Sequence, residues 1–253
     1  MSYHKSICVI FQLIVLDNGQ LKNENRCNLM KIIPNPIFNE IKSLQALSEI
    51  YDELEEKITV FKKKGAIECI AGCGQCCETS HENIETTLLE MLPAALYFWK
   101  NNQAEALLEK LNRSEKDDCC VLYQPVDPEN GKGFCTLYEY RGLVCRLFGF
   151  SARVSKDRKT VFQPCMKIKQ NLSYLKEKIN ILIQAGLTVP VFSNYGQQVS
   201  SLDPVLSSKV YGINEALKKA LEWVGLRLSF ALQKPEEEDK NKRPPIVPSG
   251  KIA

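Results

Sequence analysis

Residues 37–64 read IFNEIKSLQALSEIYDELEEKITVFKKK, and their apolar positions Ile37, Ile41, Leu44, Leu47, Tyr51, Leu54, Ile58 and Phe61 recur every three or four residues. An α-helix gathers such positions onto one face, so the stretch reads as an amphipathic helix. Lys62, Lys63 and Lys64 in its last turn complement the negative end of the helix dipole, and Gly65 is the residue type favoured just past a helix end. Working outward, the same periodicity predicts helices over 86–99, with a bend at Pro93, and over 103–111, 166–185 and 204–232. Residues 114–140 carry Asp127, Pro128, Glu129, Asn130, Gly131 and Gly133, a density of turn formers that predicts an irregular loop. From Val144 to Phe162 the chain reads as two short strands, CRLFGFSARV and KTVF, joined by the polar turn SKDR. The fold class that results is mainly α. A helical domain over 37–233 holds a loop-rich cysteine region, 69–165, with a small β-hairpin.

The ends read differently. Residues 7–16, ICVIFQLIVL, form an apolar run too short to span a bilayer and without a small-residue cleavage site after it. Residues 1–36 are therefore taken as an N-terminal extension, in which 7–16 is a buried strand or 1–29 lies upstream of a start at Met30. The tail from 234 to 253 is rich in Pro, Glu and Lys, a composition that predicts disorder.

With 44% hydrophobic and 25% charged residues among 253, the chain has enough apolar matter to build a core without covalent or metal staples. A net charge of +3, with acidic and basic residues interspersed, argues against nucleic acid as a partner. One local basic run, Arg141, Arg146, Arg153, Lys156, Arg158 and Lys159, reads as the solvated side of the hairpin or as an anion site.

Eleven cysteines are present, and Cys69, Cys73, Cys76 and Cys77 fall within one short stretch flanked by Gly72 and Gly74. Glycine lets a backbone turn tightly enough for several sulfurs to converge. Cys119, Cys120, Cys135, Cys145 and Cys165 follow, mostly in the loop and hairpin. Disulfides need an oxidising compartment that nothing here indicates, and an odd number of cysteines leaves one over. Inert thiols occur singly in cores, which suits Cys8 and Cys27 better than a glycine-bearing cluster. Thiolate ligation of a metal in a reducing, cytoplasmic setting is the reading left, with no membrane partner.

Only His4 and His81 are available as imidazoles, so a site would be almost wholly thiolate, and such zinc sites are closed and structural rather than hydrolytic. His81 reads as a surface histidine or as a ligand near the loop. Adjacent Cys76 and Cys77 are expected to point apart, which favours two centres or one larger cluster. Thiolate sites carry negative charge, so Arg141 and Arg146 are candidate partners for the bound group.

The string C-I-A-G-C-G-Q-C-C from Cys69 to Cys77, followed by C-T-L-Y-E-Y-R-G-L-V-C-R-L-F from Cys135 to Phe148, resembles the YkgJ-like CxxCxxCC family of zinc- or iron-chelating proteins. Here the first gap holds three residues rather than two, and Gly142 stands where the family has proline. The resemblance implies a ligand set of Cys69, Cys73, Cys76, Cys77, Cys120, Cys135, Cys145 and Cys165, with Cys119 outside it. It implies zinc or an iron–sulfur cluster of the 4Fe–4S type, and the close spacing favours the cluster. Some members are flagellin lysine methylases, so a protein-modifying enzyme acting on a protein substrate is one expectation, although no G-x-G-x-x-G loop is present. A structural zinc protein that binds a partner through its long helices is another.

Overall fold

The computed structural model describes residues 41–70, 72–171 and 174–233. The apolar run 7–16, Cys8, Cys27, the start at Met30, Ile37 and the tail 234–253 lie outside the described residues. The periodic stretch forms helix α1, Lys42–Gly65, and buries Leu44, Leu47, Tyr51, Leu54, Ile58 and Phe61, the face read from the sequence. Its end differs from expectation. Gly65 is the last helical residue, and the left-handed position beyond it is taken by Ala66 at φ 52°. Packing explains the exchange, because a Cβ on Gly65 would lie 2.9 Å from Ile179 Cδ1.

Strand β1 (Glu85–Thr87) leads into helix α2 (Leu88–Lys100), which runs on through Pro93, and helix α3 (Ala104–Asn112) follows. The expected loop 114–140 contains a hairpin, β2 (Tyr123–Asp127) paired antiparallel with β3 (Lys132–Cys135). Its turn is made by the turn formers themselves, with Gly131 at φ 63°.

The second predicted hairpin is shorter than its reading. Only β4 (Ser151–Val154) pairs with β5 (Thr160–Gln163), and the opening residues of the first supposed strand belong to helix α4, Leu143–Leu147. Leu143 and Leu147, four residues apart, are both buried, which is a helical rather than an alternating pattern. The basic run divides accordingly: Arg153, Lys156, Arg158 and Lys159 are exposed on the hairpin, whereas Arg146 is buried.

The predicted helix 166–185 is two, α5 (Met166–Asn171) and α6 (Leu175–Gln184), and helix α7, Phe192–Leu202, was not anticipated. The last predicted helix begins later than expected. Residues 210–212 form strand β6, paired with β1 across the chain, and helix α8 spans Ile213–Gln233.

α8 lies along α2. Ala94, Ala95, Leu217, Ala220, Leu221 and Val224 are fully buried between them, and Trp99 Nε1 donates to the Leu221 carbonyl at 2.9 Å. These helices and α1 enclose the main core; a smaller core of Phe61, Ala152, Phe162 and Ile179 seats the β4–β5 hairpin against α6. The mainly α reading with small hairpins holds. Among the described residues no helix is long and apolar enough to cross a membrane.

Candidate metal centre

The cysteine loop is fastened to the first hairpin by main-chain bonds. Gly74 N donates to Gly131 O at 3.2 Å, Gly133 N donates to Gly72 O at 3.0 Å, and Cys73 bridges to Lys132. Tyr123 completes the fastening. Its ring lies where a Cβ on Gly74 would stand, 2.6 Å away, and closer still to the Cβ position of Gly133. Both glycines therefore form the slot for the ring, and the Tyr123 hydroxyl donates to Glu78 at 3.1 Å.

This arrangement brings Cys69, Cys73, Cys76 and Cys77 to one wall of a cavity of about 650 Å³ that Cys120, Cys135 and Cys145 also line. Cys165 is not among the lining residues. Its Sγ accepts from Ile168 N at 3.5 Å, and its thiol acts on Cys69 from outside the cavity. Cys119 does not line the cavity either.

The adjacent pair does not point apart as expected. Cys77 N donates to Gly74 O at 2.8 Å, and in the resulting turn the sulfurs of Cys76 and Cys77 stand 3.9 Å apart. Two sulfurs bound tetrahedrally to one zinc would be separated by about 3.8 Å, given Zn–S bonds of about 2.3 Å.

Among the described residues no group of three or more His, Cys, Asp or Glu side chains stands close enough to hold an ion as placed. The fit to a metal therefore lies in the donor set and its electrostatics. Burial pushes the thiols of Cys120 and Cys145 up to about 12 and raises that of Cys135. Cys76 goes the other way, to about 7, because the Cys77 thiol donates to its thiolate and Arg141 lies near; Cys77 is raised by the same bond. A metal bound at these thiols would release their protons, so ion and proton compete for each sulfur.

The two arginines have different places. Arg141 lines the cavity with its guanidinium 3.4 Å from the Tyr138 ring centroid, donating to the carbonyls of Tyr138 and Cys145. Arg146 stands behind it. It donates to Glu55 at 2.7 Å, to Arg141 O at 2.8 Å and to Glu139 O at 2.5 Å, over the ring of Tyr51. It does not line the cavity. His81 is buried rather than on the surface, its Nε2 3.1 Å from the Glu115 carbonyl, and it does not line the cavity.

Three supporting residues escaped the sequence reading. Tyr123 gave no signal beyond its place three residues after Cys120. Glu90 did give one, the T-x-x-E spacing from Thr87 that marks a capping box. Its carboxylate also accepts from Tyr51 and from the Leu143 N–H, joining α1 and α2 to the start of α4. Asn214 carried none.

Residues 68–170 match the model of the CxxCxxCC family, described as "Putative zinc- or iron-chelating domain". That is the family the two cysteine motifs resemble, and all nine described cysteines fall within the match. The match supports metal binding through these cysteines. No curated protein and no solved structure matches the chain.

Proposed function

We propose that this chain is a thiolate metal protein of the reducing cell interior, holding an iron–sulfur cluster in preference to zinc. Cys73, Cys76, Cys77, Cys120, Cys135 and Cys145 supply the inner donors, and Cys69 and Cys165 stand at the outer edge. The observation that carries the reading is the cavity itself, which seven thiols from sequence-distant segments line together with Arg141. A single zinc and a 4Fe–4S cluster each take four thiolates, so seven leave room for a second centre, and it is the close spacing of Cys69, Cys73, Cys76 and Cys77 that favours the cluster. An iron–sulfur cluster, once bound, supplies one-electron chemistry tuned by nearby charge and solvent access.

The chain's own residues give that group its setting. Arg141 places positive charge at the thiolate wall, and Arg146 holds the main chain on which Arg141 sits. Tyr123, wedged between Gly74 and Gly133, keeps the Cys73 loop against the hairpin that bears Cys135. Anaerobic reconstitution with iron and sulfide, followed by visible absorbance, tests the choice of metal. A brown protein with iron and sulfide in cluster ratio supports it. A colourless protein that retains stoichiometric zinc assigns the site to zinc instead.

A second reading, an enzyme similar to the flagellin lysine methylases, draws support from the apolar part of the cavity lining. Ile84, Met91, Leu122, Leu137 and Ile213 leave apolar room beside the thiols, within the volume range of small-molecule sites. Calorimetric binding of S-adenosylmethionine by the metal-loaded protein favours the enzyme; no heat of binding removes it.

A further inference from the structure

We propose that Asn214, near the start of α8 and outside the matched segment, is the positioning residue for Cys120 and so a working part of the metal site. The inference rests on the thiolate reading above. Asn214 is 4% exposed, and each polar atom of its amide is engaged. Its Oδ1 accepts the Val121 N–H at 2.8 Å, while its Nδ2 donates to the Cys119 carbonyl at 3.2 Å and to Ser114 Oγ at 3.1 Å. The main-chain partners fix the amide's orientation, because a peptide N–H only donates and a peptide carbonyl only accepts.

The Cys119 carbonyl belongs to the peptide unit that precedes Cys120, and the Val121 N–H belongs to the unit that follows it. One side chain thus holds both peptide planes that flank this cysteine. Peptide units are rigid planes, so holding both restricts φ and ψ of Cys120. Backbone angles in turn limit the rotamers open to its thiol. The turn is closed on the far side by Tyr123 N donating to Cys120 O at 2.9 Å.

The helix that carries Asn214 is itself held firmly. Ile213 lines the cavity, β6 pairs with β1 just before it, and Trp99 packs against Gly225 where a Cβ would come within 2.5 Å of the ring. The C-terminal helix therefore aims a donor of the cysteine region, and the 68–170 segment is incomplete as a metal site without it.

The test is an anaerobic titration of the reduced, metal-free full chain with cobalt(II), whose bonds to thiolates absorb by charge transfer. Wild type is compared with Asn214→Leu, Asn214→Asp, Cys120→Ser and the Asn214→Leu/Cys120→Ser double variant. Loss of a residue that orients a ligand is expected to weaken cobalt binding by roughly 10–100-fold. Charge-transfer absorption per ion should fall in Asn214→Leu to the Cys120→Ser level. The double variant should bind no more weakly than Cys120→Ser alone, because both changes act through one sulfur.

Asn214→Asp keeps the acceptor for Val121 and loses both donors, and it should show the same spectral loss, which covers the case that the leucine variant does not fold. Trp99→Phe removes a part-buried bond to α8 and should lower the unfolding midpoint while leaving the cobalt spectrum unchanged. An unchanged spectrum in the folded Asn214 variants, or losses that add in full in the double variant, would overturn the proposal. Where the wild-type protein takes up a cluster from iron and sulfide but no cobalt, the same variants are compared by the cluster's visible absorption; a protein that takes up neither strikes the thiolate reading itself, and the role of Asn214 falls with it.

Discussion

Ala66 sits exposed at φ 52° and ψ 48°, in a conformation that costs a residue with a Cβ about 1–2 kcal/mol. Ala66→Gly is therefore expected to stabilise the protein by about 1 kcal/mol, read as a higher urea midpoint at unchanged slope. Helix-end chemistry alone places glycine at this position. Tertiary contact with Ile179 claims Gly65 for packing instead, and a contact between residues so far apart in the chain leaves no local trace.

Gly142 shows the same competition. Its φ of −67° suits the proline of the resembled family, and Arg141 before it, at φ −63° and ψ 140°, is in the region that precedes prolines. What excludes a ring here is Thr86, whose Oγ1 would lie 2.8 Å from any Cβ on residue 142 and is itself buried without a hydrogen-bond partner among the described residues. Gly142→Pro alone should destabilise by about 1–3 kcal/mol through overpacking, and Thr86→Ala should recover most of that loss in the double variant. Additive costs in a urea double-mutant cycle would show that the two sites do not meet.

Elements are joined at the site by buried polar side chains, and periodicity is blind to these. The apolar faces of α1 and α2 were legible because burial repeats with the helix. The division of 144–154 into α4 and β4 was not, because it depends on a hydrogen bond from Leu143 N to Glu90 Oε1 at 2.7 Å. Glu90 also accepts from Tyr51 at 3.1 Å and from the Thr87 main chain and hydroxyl, both at 3.0 Å.

Glu90→Ala would strand these donors in the core, and is expected to cost at least about 3 kcal/mol in chemical denaturation. Glu90→Gln, which retains one oxygen, should cost less. Equal losses in the two variants would mean that side-chain bulk, not hydrogen bonding, holds the three elements together.

At the scale of the molecule, the cysteine spacing made the matched 68–170 region legible while leaving the arrangement of its thiols hidden. Main-chain pairing of the Cys73 loop with β3, and the bonds from Asn214 on α8 to the peptides flanking Cys120, join segments far apart in the chain and leave no local pattern in the sequence. Protonation then sets the pH dependence. Cys120 and Cys145 are held near 12 by burial, so a metal must displace their protons at neutral pH, and apparent affinity should rise with pH. Each thiol still protonated in the metal-free protein contributes about one decade of affinity per pH unit. The slope should ease above pH 7, where Cys76, at about 7, has already lost its proton. Zinc competition titrations across this range provide the check; a pH-independent affinity would remove thiol deprotonation from the binding event.

The most direct test of thiolate ligation is alkylation of the protein with and without its metal, read cysteine by cysteine by mass spectrometry. Metal-loaded protein should protect Cys73 and Cys76, leave Cys119 as reactive as before, and lose that protection when a chelator strips the metal; the buried Cys120 and Cys145, held as thiols, should label slowly in both states. Equal labelling of Cys73 and Cys76 in both states would contradict the account.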